Sequence, residues 1–390
     1  MNLIFISIGK YPNQRASAIR HSTLAQGVYE NGHNVWFFIL SPQGWEHLEK
    51  KYNGVTYTSL IKYNGNNKVL KAIYFKESLV CLKKKITEIH NKNTVDGIIT
   101  YSTNNLIIQT ALSIGKKHKI KVFHERTELP YVIGKSQTFI GNLKYDFYLN
   151  KLVPQFDGIF VISDKLREFF SSKNRNIEKI LTIVDTNFFN NQSKPIYKFP
   201  YIAYCGKMSG SKDGVPILVE AFAKLLNKFP SFKLLLIGDN SNKNDIKDTI
   251  DSINNFNLKD NVVFTGMVTR EVMPRLLGNS RLLVVSKPDN EQNSGNFPIK
   301  VGEYLSTGIP VVVTKVGEIP KFITDGENGF LATPDSAESF YSKMYEALND
   351  YNKARKIGMK GRVLAQEIFD YRIQAKKMAD FIYNTPNKWE

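Results

Sequence analysis

The chain has 390 residues, 42% hydrophobic and 23% charged, with a formal net charge of +17. This length and apolar content exclude a disordered or fibrous chain and suit two α/β domains better than one core. Cys81 and Cys205 show neither pairing nor zinc-ligand spacing, which excludes a disulfide scaffold and points to a reducing compartment, the cytoplasm.

The amino terminus, MNLIFISIGKYPNQ, lacks a basic leader and reads as a first strand. It is followed by a helix from about Ser17 to Asn31, the strand NVWFFIL, and later the strands DGIITYS, KVFHE and GIFVIS. Short β-branched and aromatic runs alternating with helical periodicity predict a parallel, doubly wound sheet. The segment NFFNNQSKPIYKFP has Asn, Ser and Pro without periodicity and reads as a linker. The pattern then restarts with YIAYCG, a helix from about Gly214 to Lys228, and the strands KLLLIG, NVVFTG, RLLVVS and IPVVVT. The expected division is residues 1–195, residues 196–370, and a C-terminal helix in 371–390 returning to the first domain. No apolar run reaches membrane-spanning length, so any membrane association is expected to be peripheral.

Each half opens with a strand ending in Gly-Lys, LIFISIGK with Gly9 and YIAYCGKM with Gly206. Open α/β sheets bind ligands at the carboxyl ends of their strands, where glycine admits a phosphate and a helix amino terminus supplies partial positive charge. Neither turn has the full G-x-G-x-x-G spacing. In YIAYCGKMSGSKDGVPILVEAF, Asp213 or Ser211 is a candidate cap for the following helix, and Lys207 and Lys212 stand where an anion would be met. In NSGNFPIKVGEYLSTGIPVVV, Asn296 is a candidate N-cap, Pro298 suits the first turn, Gly308 ends the helix, and Lys300 and Glu303 share a face. Solvated lysines and a surface ion pair are the plain alternatives. The six histidines and two cysteines show no metal-ligand spacing.

From Phe156 to about Leu331 the chain resembles glycosyltransferase family four, a family of retaining enzymes with the GT-B fold. The resemblance rests on an ordered series: FDGIFVISDKLREFF, IVDTNFF, GKMSGSKDGVPILVEAFAKL, KLLLIGD, NVVFTGMVTREVMPRLL, PIKVGEYLSTGIPVV and GEIPKFITDGENGFL. It implies two Rossmann-like domains facing an interdomain cleft, with acceptor binding in the first and donor binding in the second. By resemblance, Lys207 and Lys212 bind the donor diphosphate, Glu303 contacts the nucleotide ribose, Gly238 and Gly266 end strands near the nucleotide, and His124 faces the donor sugar. Gly295, Asn296, Phe297 and Lys300 belong to the same donor site. One departure stands out: the family commonly carries an acid eight residues before the ribose glutamate, and here that position is Gly295.

The resemblance implies transfer of a sugar from a UDP- or GDP-linked donor to a hydroxyl of a glycan or lipid-linked acceptor, in bacterial surface polysaccharide or glycan assembly, with no divalent metal and no cofactor. A sugar-nucleotide epimerase and a non-catalytic partner subunit are the alternatives compatible with the fold. Nucleic acid is not an expected partner, because the chain has no helix-turn-helix, zinc finger or RNP-type signature. Most of the basic excess lies in the first half, including Lys76, Lys83, Lys84 and Lys85 on a predicted helix and Lys135, Lys144 and Lys151 beyond it. Either these are solvated lysines on a packed helix, or they hold the protein on the anionic inner face of a membrane.

Overall fold

The computed structural model describes all residues except 10, 12–15, 42–48, 62, 64, 130–137, 191–193, 243, 245, 296 and 390. Lys135 and Asn296 therefore lie outside the described residues. The chain divides into two compact units, Met1–Ile183 with Tyr371–Glu390, and Val184–Asp370.

In the first unit the described strands are β1 (Asn2–Ser7), β2 (Asn34–Ile39), β3 (Glu49–Tyr52), β4 (Val55–Ser59), β5 (Gly97–Thr100), β6 (Lys121–Arg126), β7 (Gly158–Val161) and β8 (Ile177–Lys179). They form one sheet in the order β3-β4-β2-β1-β5-β6-β7-β8, parallel except for the β3–β4 hairpin. That hairpin turns at Asn53-Gly54, both with positive φ, the sequence signal for a two-residue turn. Successive residues of β1 feed opposite faces: Ile4 and Ile6 enter one core cluster, Leu3 and Phe5 another. The first face is covered by helices Lys68–Lys92 and Asn105–His118, the second by Ala16–Glu30 and Tyr371–Asn384.

In the second unit, β9 (Tyr201–Cys205), β10 (Lys233–Ile237), β11 (Val262–Gly266), β12 (Leu282–Val285), β13 (Val311–Thr314) and β14 (Phe330–Ala332) form a parallel sheet in the order β11-β10-β9-β12-β13-β14. This is the Rossmann order, which reverses between β9 and β12 and opens a crevice at their carboxyl ends.

The helix Tyr371–Asn384 lies on Ala16–Glu30. There the Tyr371 hydroxyl donates to Glu30 at 2.8 Å and Arg372 Nε pairs with Glu30 at 3.1 Å. The units divide at Ile183, earlier than residue 195, because Val184 already belongs to the second unit. Its amide donates to the Phe369 carbonyl at 2.8 Å, and the Thr186 hydroxyl donates to Asp370 at 2.5 Å. The first and last residues of the second unit are thus tied together.

Among the described residues of the first unit, the ion pair of Arg20 with Glu125 is the most buried. Arg20 Nε and Nη2 donate to Glu125 Oε1 at 3.0 and 2.8 Å, and its other donors reach the carbonyls of Ile180 and Leu181. Burial raises the Glu125 pKa, and Arg20 pulls it back. Replacing Arg20 by Met leaves a buried carboxylate uncompensated and should cost about 3–5 kcal/mol in urea unfolding at neutral pH. Since the folded pKa of Glu125 would then lie further above its unfolded value, the deficit should be smallest at acid pH and grow as pH rises through the folded pKa. An Arg20→Met, Glu125→Gln double variant as unstable as the single one, or a pH-independent deficit, would contradict this account.

Candidate functional site

Three glycines end adjacent strands in the second unit. Gly206 follows β9, Gly238 follows β10, and Gly266 closes β11. The Gly206 amide donates to the Ile237 carbonyl at 2.9 Å and the Gly238 amide to the Gly266 carbonyl at 3.2 Å. Gly238 has φ +146, and a Cβ there would come within 2.3 Å of the Gly206 carbonyl oxygen, so two strand ends meet backbone to backbone. Gly206 has φ +149, and its missing side chain leaves room for Lys300 Nζ, 2.4 Å from where a Cβ would stand.

After Gly206 the chain passes through a short helix, Gly210–Asp213, to Gly214, which serves as N-cap of helix Val215–Leu226 without any side-chain cap bond. Neither candidate cap, Asp213 or Ser211, caps this helix: Ser211 is exposed, and Asp213 is 4% exposed and meets two lysines. Lys300 Nζ lies 3.3 Å from its Oδ1 and Lys287 Nζ 3.8 Å. The capping position is taken by Gly214 at φ +64, where a Cβ would strike the Ser286 carbonyl oxygen at 2.0 Å. The β9 turn and the end of β12 are therefore in direct contact.

Lys287, Asn293 and Tyr204 complete this arrangement, and the sequence did not single them out. Lys287 Nζ donates to Asn293 Oδ1 at 2.9 Å and to the Lys212 carbonyl at 3.2 Å. Burial pulls its pKa down to about 8, against the opposing pull of Asp213. Asn293 Nδ2 donates to the same Lys212 carbonyl at 3.1 Å. The Tyr204 hydroxyl accepts from Lys300 Nζ at 2.8 Å and donates to the Lys207 carbonyl at 2.5 Å. The backbone is thus held at both Lys207 and Lys212, while both side chains are exposed and form no hydrogen bond or ion pair with a described residue. The only available sign of Lys287 was its place just past RLLVVS at a strand end.

Helix Ile299–Ser306 starts beside these residues, with Pro298 at the N-cap position and Gly308 beyond its end at φ +70. Glu303 on this helix is half-buried and forms no hydrogen bond with a described residue. Burial raises its pKa, opposed by Arg270 and Lys300. The Cys205 thiol is pushed up to about 12, by burial and then by the Glu303 charge. Gly295 sits buried in the turn before the helix, and Glu291, an acid earlier in that turn, is exposed.

The second unit gathers Gly206, Lys207, Lys212, Gly238, Gly266, Gly295, Phe297, Lys300 and Glu303, whereas Gly9 and His124 belong to the first. Gly9 is tied to Ser41, its amide donating to Ser41 Oγ at 2.8 Å. Two expectations need correction. His124 faces no open space: it is fully buried, Nε2 lies 2.8 Å from the Tyr148 hydroxyl, Nδ1 lies 2.9 Å from Thr100 Oγ1, and its ring stacks on Phe156 at 4.7 Å. Burial lowers its pKa to about 3, so it is a neutral core residue at physiological pH. Phe297 is 2% exposed and packs on Phe322 and Phe369, leaving no ring face for a ligand. Among the described residues, no group of three or more His, Cys, Asp or Glu is arranged to hold a metal ion. At pH 8 iodoacetamide should leave Cys205 unmodified in the native chain and label it after unfolding; rapid native labelling would show that the thiol is neither buried nor facing a carboxylate.

Residues 199–350 match the family model for glycosyl transferases group 1. Among curated proteins, the chain is 22% identical over 394 residues to N-acetyl-alpha-D-glucosaminyl L-malate synthase of Bacillus anthracis, covering 93% of this chain and 92% of that protein. It is 26% identical over 184 residues to the capsular polysaccharide biosynthesis glycosyltransferase CapM of Staphylococcus aureus, covering 47% and 46%. Among solved structures, sucrose-phosphate synthase from Thermosynechococcus elongatus matches with a TM-score of 0.71 at 17% identity, covering 98% of each chain. Anabaena HepE in complex with UDP-glucose matches with a TM-score of 0.71 at 14% identity, covering 97% of this chain and 99% of that one.

Proposed function

We propose that this chain, which has the GT-B fold, is a group 1 glycosyltransferase, a retaining, metal-independent enzyme that moves a sugar from a nucleoside-diphosphate sugar to a hydroxyl of a glycan or lipid-linked acceptor. The observation that carries the reading is the pair of exposed ammonium groups, Lys207 and Lys212, on backbone anchored beside the three strand-end glycines. Cleavage of the bond between the anomeric carbon and the diphosphate builds negative charge on the leaving oxygens. Preorganised cations oppose that charge without reorganising, and each such donor commonly contributes about 3–4 kcal/mol. Glu303, half-buried and without a hydrogen-bond partner among the described residues, suits a ribose hydroxyl.

The UDP-glucose bound by HepE supports a uridine donor, with a guanosine donor as the alternative. CapM, named for capsular polysaccharide biosynthesis, supports a role in bacterial glycan assembly. Retention is part of this reading, with the acceptor hydroxyl attacking on the face the diphosphate leaves and its proton passing to a departing phosphate oxygen. Gly295 in place of the family's usual acid favours a second reading, a partner subunit that binds donor without turning it over. No described helix is long and apolar enough to cross a membrane. Helix Lys68–Lys92 packs Leu82 and Ile86 into the core and leaves Lys83 and Lys84 exposed, which supports peripheral attachment on the inner face of the membrane.

Lys212→Ala should keep the fold and lose about 100-fold or more in kcat, measured with saturating nucleotide sugar. Glu303→Ala should mainly weaken nucleotide binding, since a ribose contact changes little at the transition state. Near-wild-type turnover of Lys212→Ala would remove that lysine from the mechanism, and donor binding without transfer or slow hydrolysis would favour the partner-subunit reading. Transfer should persist in excess chelator and keep the anomeric configuration by NMR. Complete loss restored by Mg²⁺ or Mn²⁺, or an inverted product, would defeat those parts of the reading.

A further inference from the structure

Lys287 stands within the second unit's site, yet no step of the proposed transfer uses it. It is 7% exposed, just past the end of β12, and its Nζ faces three acceptors: Asn293 Oδ1 at 2.9 Å, the Lys212 carbonyl at 3.2 Å and Asp213 Oδ1 at 3.8 Å. A lysine buried this far ordinarily has a carboxylate to itself. Here the carboxylate is shared. Lys300 Nζ lies nearer the same oxygen, at 3.3 Å, and the other Asp213 oxygen accepts from Ser209 Oγ at 3.3 Å. Glu303 also draws on Lys300, but Arg270 faces it in turn. Arg270, Lys287 and Lys300 thus stand against Asp213 and Glu303, with one positive charge in excess.

The groups that act on Lys287 come from three segments. Burial opposes its ammonium form most, Asp213 favours it, and Lys300 and Lys212 oppose it, which leaves the pKa at about 8. Tyr204, whose hydroxyl touches Lys300, is kept neutral by burial. A positive charge held this deep in excess is unfavourable until an anion balances it.

We propose that Lys287 is a positioning residue of the donor site whose charge is completed by the donor itself: the diphosphate met by Lys207 and Lys212 supplies the negative charge that the buried cluster lacks, so that a nucleoside diphosphate binds together with a proton. The inference rests on the glycosyltransferase reading, for which it names a proton as co-ligand of the donor. Lys287 acts through its neighbours. Its three N–H groups match the three acceptors around it, whereas a neutral amine has only two and turns a lone pair on the third. Losing the proton therefore loosens the segment that carries Lys212, which Asn293 Nδ2 also holds, at 3.1 Å. An anionic donor favours the ammonium form, so the Lys287 pKa is higher in the complex than in the free chain. Donor affinity is then full below the free chain's pKa and falls as pH rises above it.

The test is titration calorimetry of the full chain with UDP, and with GDP for the guanosine alternative, between pH 7 and 9 in pairs of buffers that differ in ionisation enthalpy. Affinity should fall roughly fivefold or more over this range, most of it above pH 8, with uptake of about half a proton per nucleotide at pH 8. Lys287→Arg, which stays charged, should bind without that fall, and Lys287→Met should bind weakly at pH 7 and equally weakly at pH 9. UDP binding by the wild-type chain that is independent of pH and takes up no proton would overturn the inference, whatever the variants do, and would leave the functional reading in place. An undiminished pH dependence in either variant would also overturn it, because the proton would then sit elsewhere. So would a Met variant with a lowered thermal midpoint but wild-type UDP affinity, the mark of a packing role alone. Failure of both nucleotides to bind at any pH counts against the functional reading, and the inference falls with it.

Discussion

The Asp213 carboxylate is the constraint on which the second unit's site depends. Two lysines from separate segments, Lys287 after β12 and Lys300 on helix Ile299–Ser306, converge on one of its oxygens. The same two lysines reach outward, one to the Lys212 carbonyl and the other through Tyr204 to the segment at Lys207. A single buried negative charge thereby fixes three chain segments and the backbone of two exposed cations. A buried and a half-buried ammonium group side by side would repel each other and lose hydration, so the carboxylate holds the arrangement together.

Strand β6 shows how one run of sequence serves three purposes. Its pleat sends His124 and Arg126 to one face and Glu125 to the other. His124 goes into the core beneath Tyr148, Glu125 meets Arg20 beneath the helix Ala16–Glu30, and Arg126 lines a cavity. Three polar residues in succession look alike in a sequence. Their different fates come from the sheet's two faces and from where the strand stops.

Much of the architecture was legible because its signals are local. The runs NVWFFIL, KLLLIG and IPVVVT alternate with amphipathic helices, and each corresponds to a parallel strand. The Asn53-Gly54 turn was an equally plain signal for the β3–β4 hairpin and went unread, since EKKY is polar and resembles a loop. The strand Phe330–Ala332 is too short to announce itself. The candidate site was legible only in part. Lys207, Lys212 and Glu303 stand out as candidates from spacing and resemblance, but Asp213 looks like a helix cap because its lysine partners are 74 and 87 residues away in sequence. Phe297 and His124 were misjudged for the related reason that sequence order does not tell a core ring from a lining one.

The helix Tyr371–Asn384 completes the apolar face of β1 in the first unit, yet it follows the whole of the second unit in the chain. Gly27 admits it so closely that a Cβ there would lie 2.6 Å from the Ala375 methyl carbon. Until Val184–Asp370 and the segment after it have been made, the first unit's apolar face with Leu3, Phe5, Leu24 and Val28 therefore lacks part of its cover. The second unit is continuous in sequence and can fold as soon as it emerges. The unit that begins the chain is thus the one completed last, after every residue of the second unit has been made.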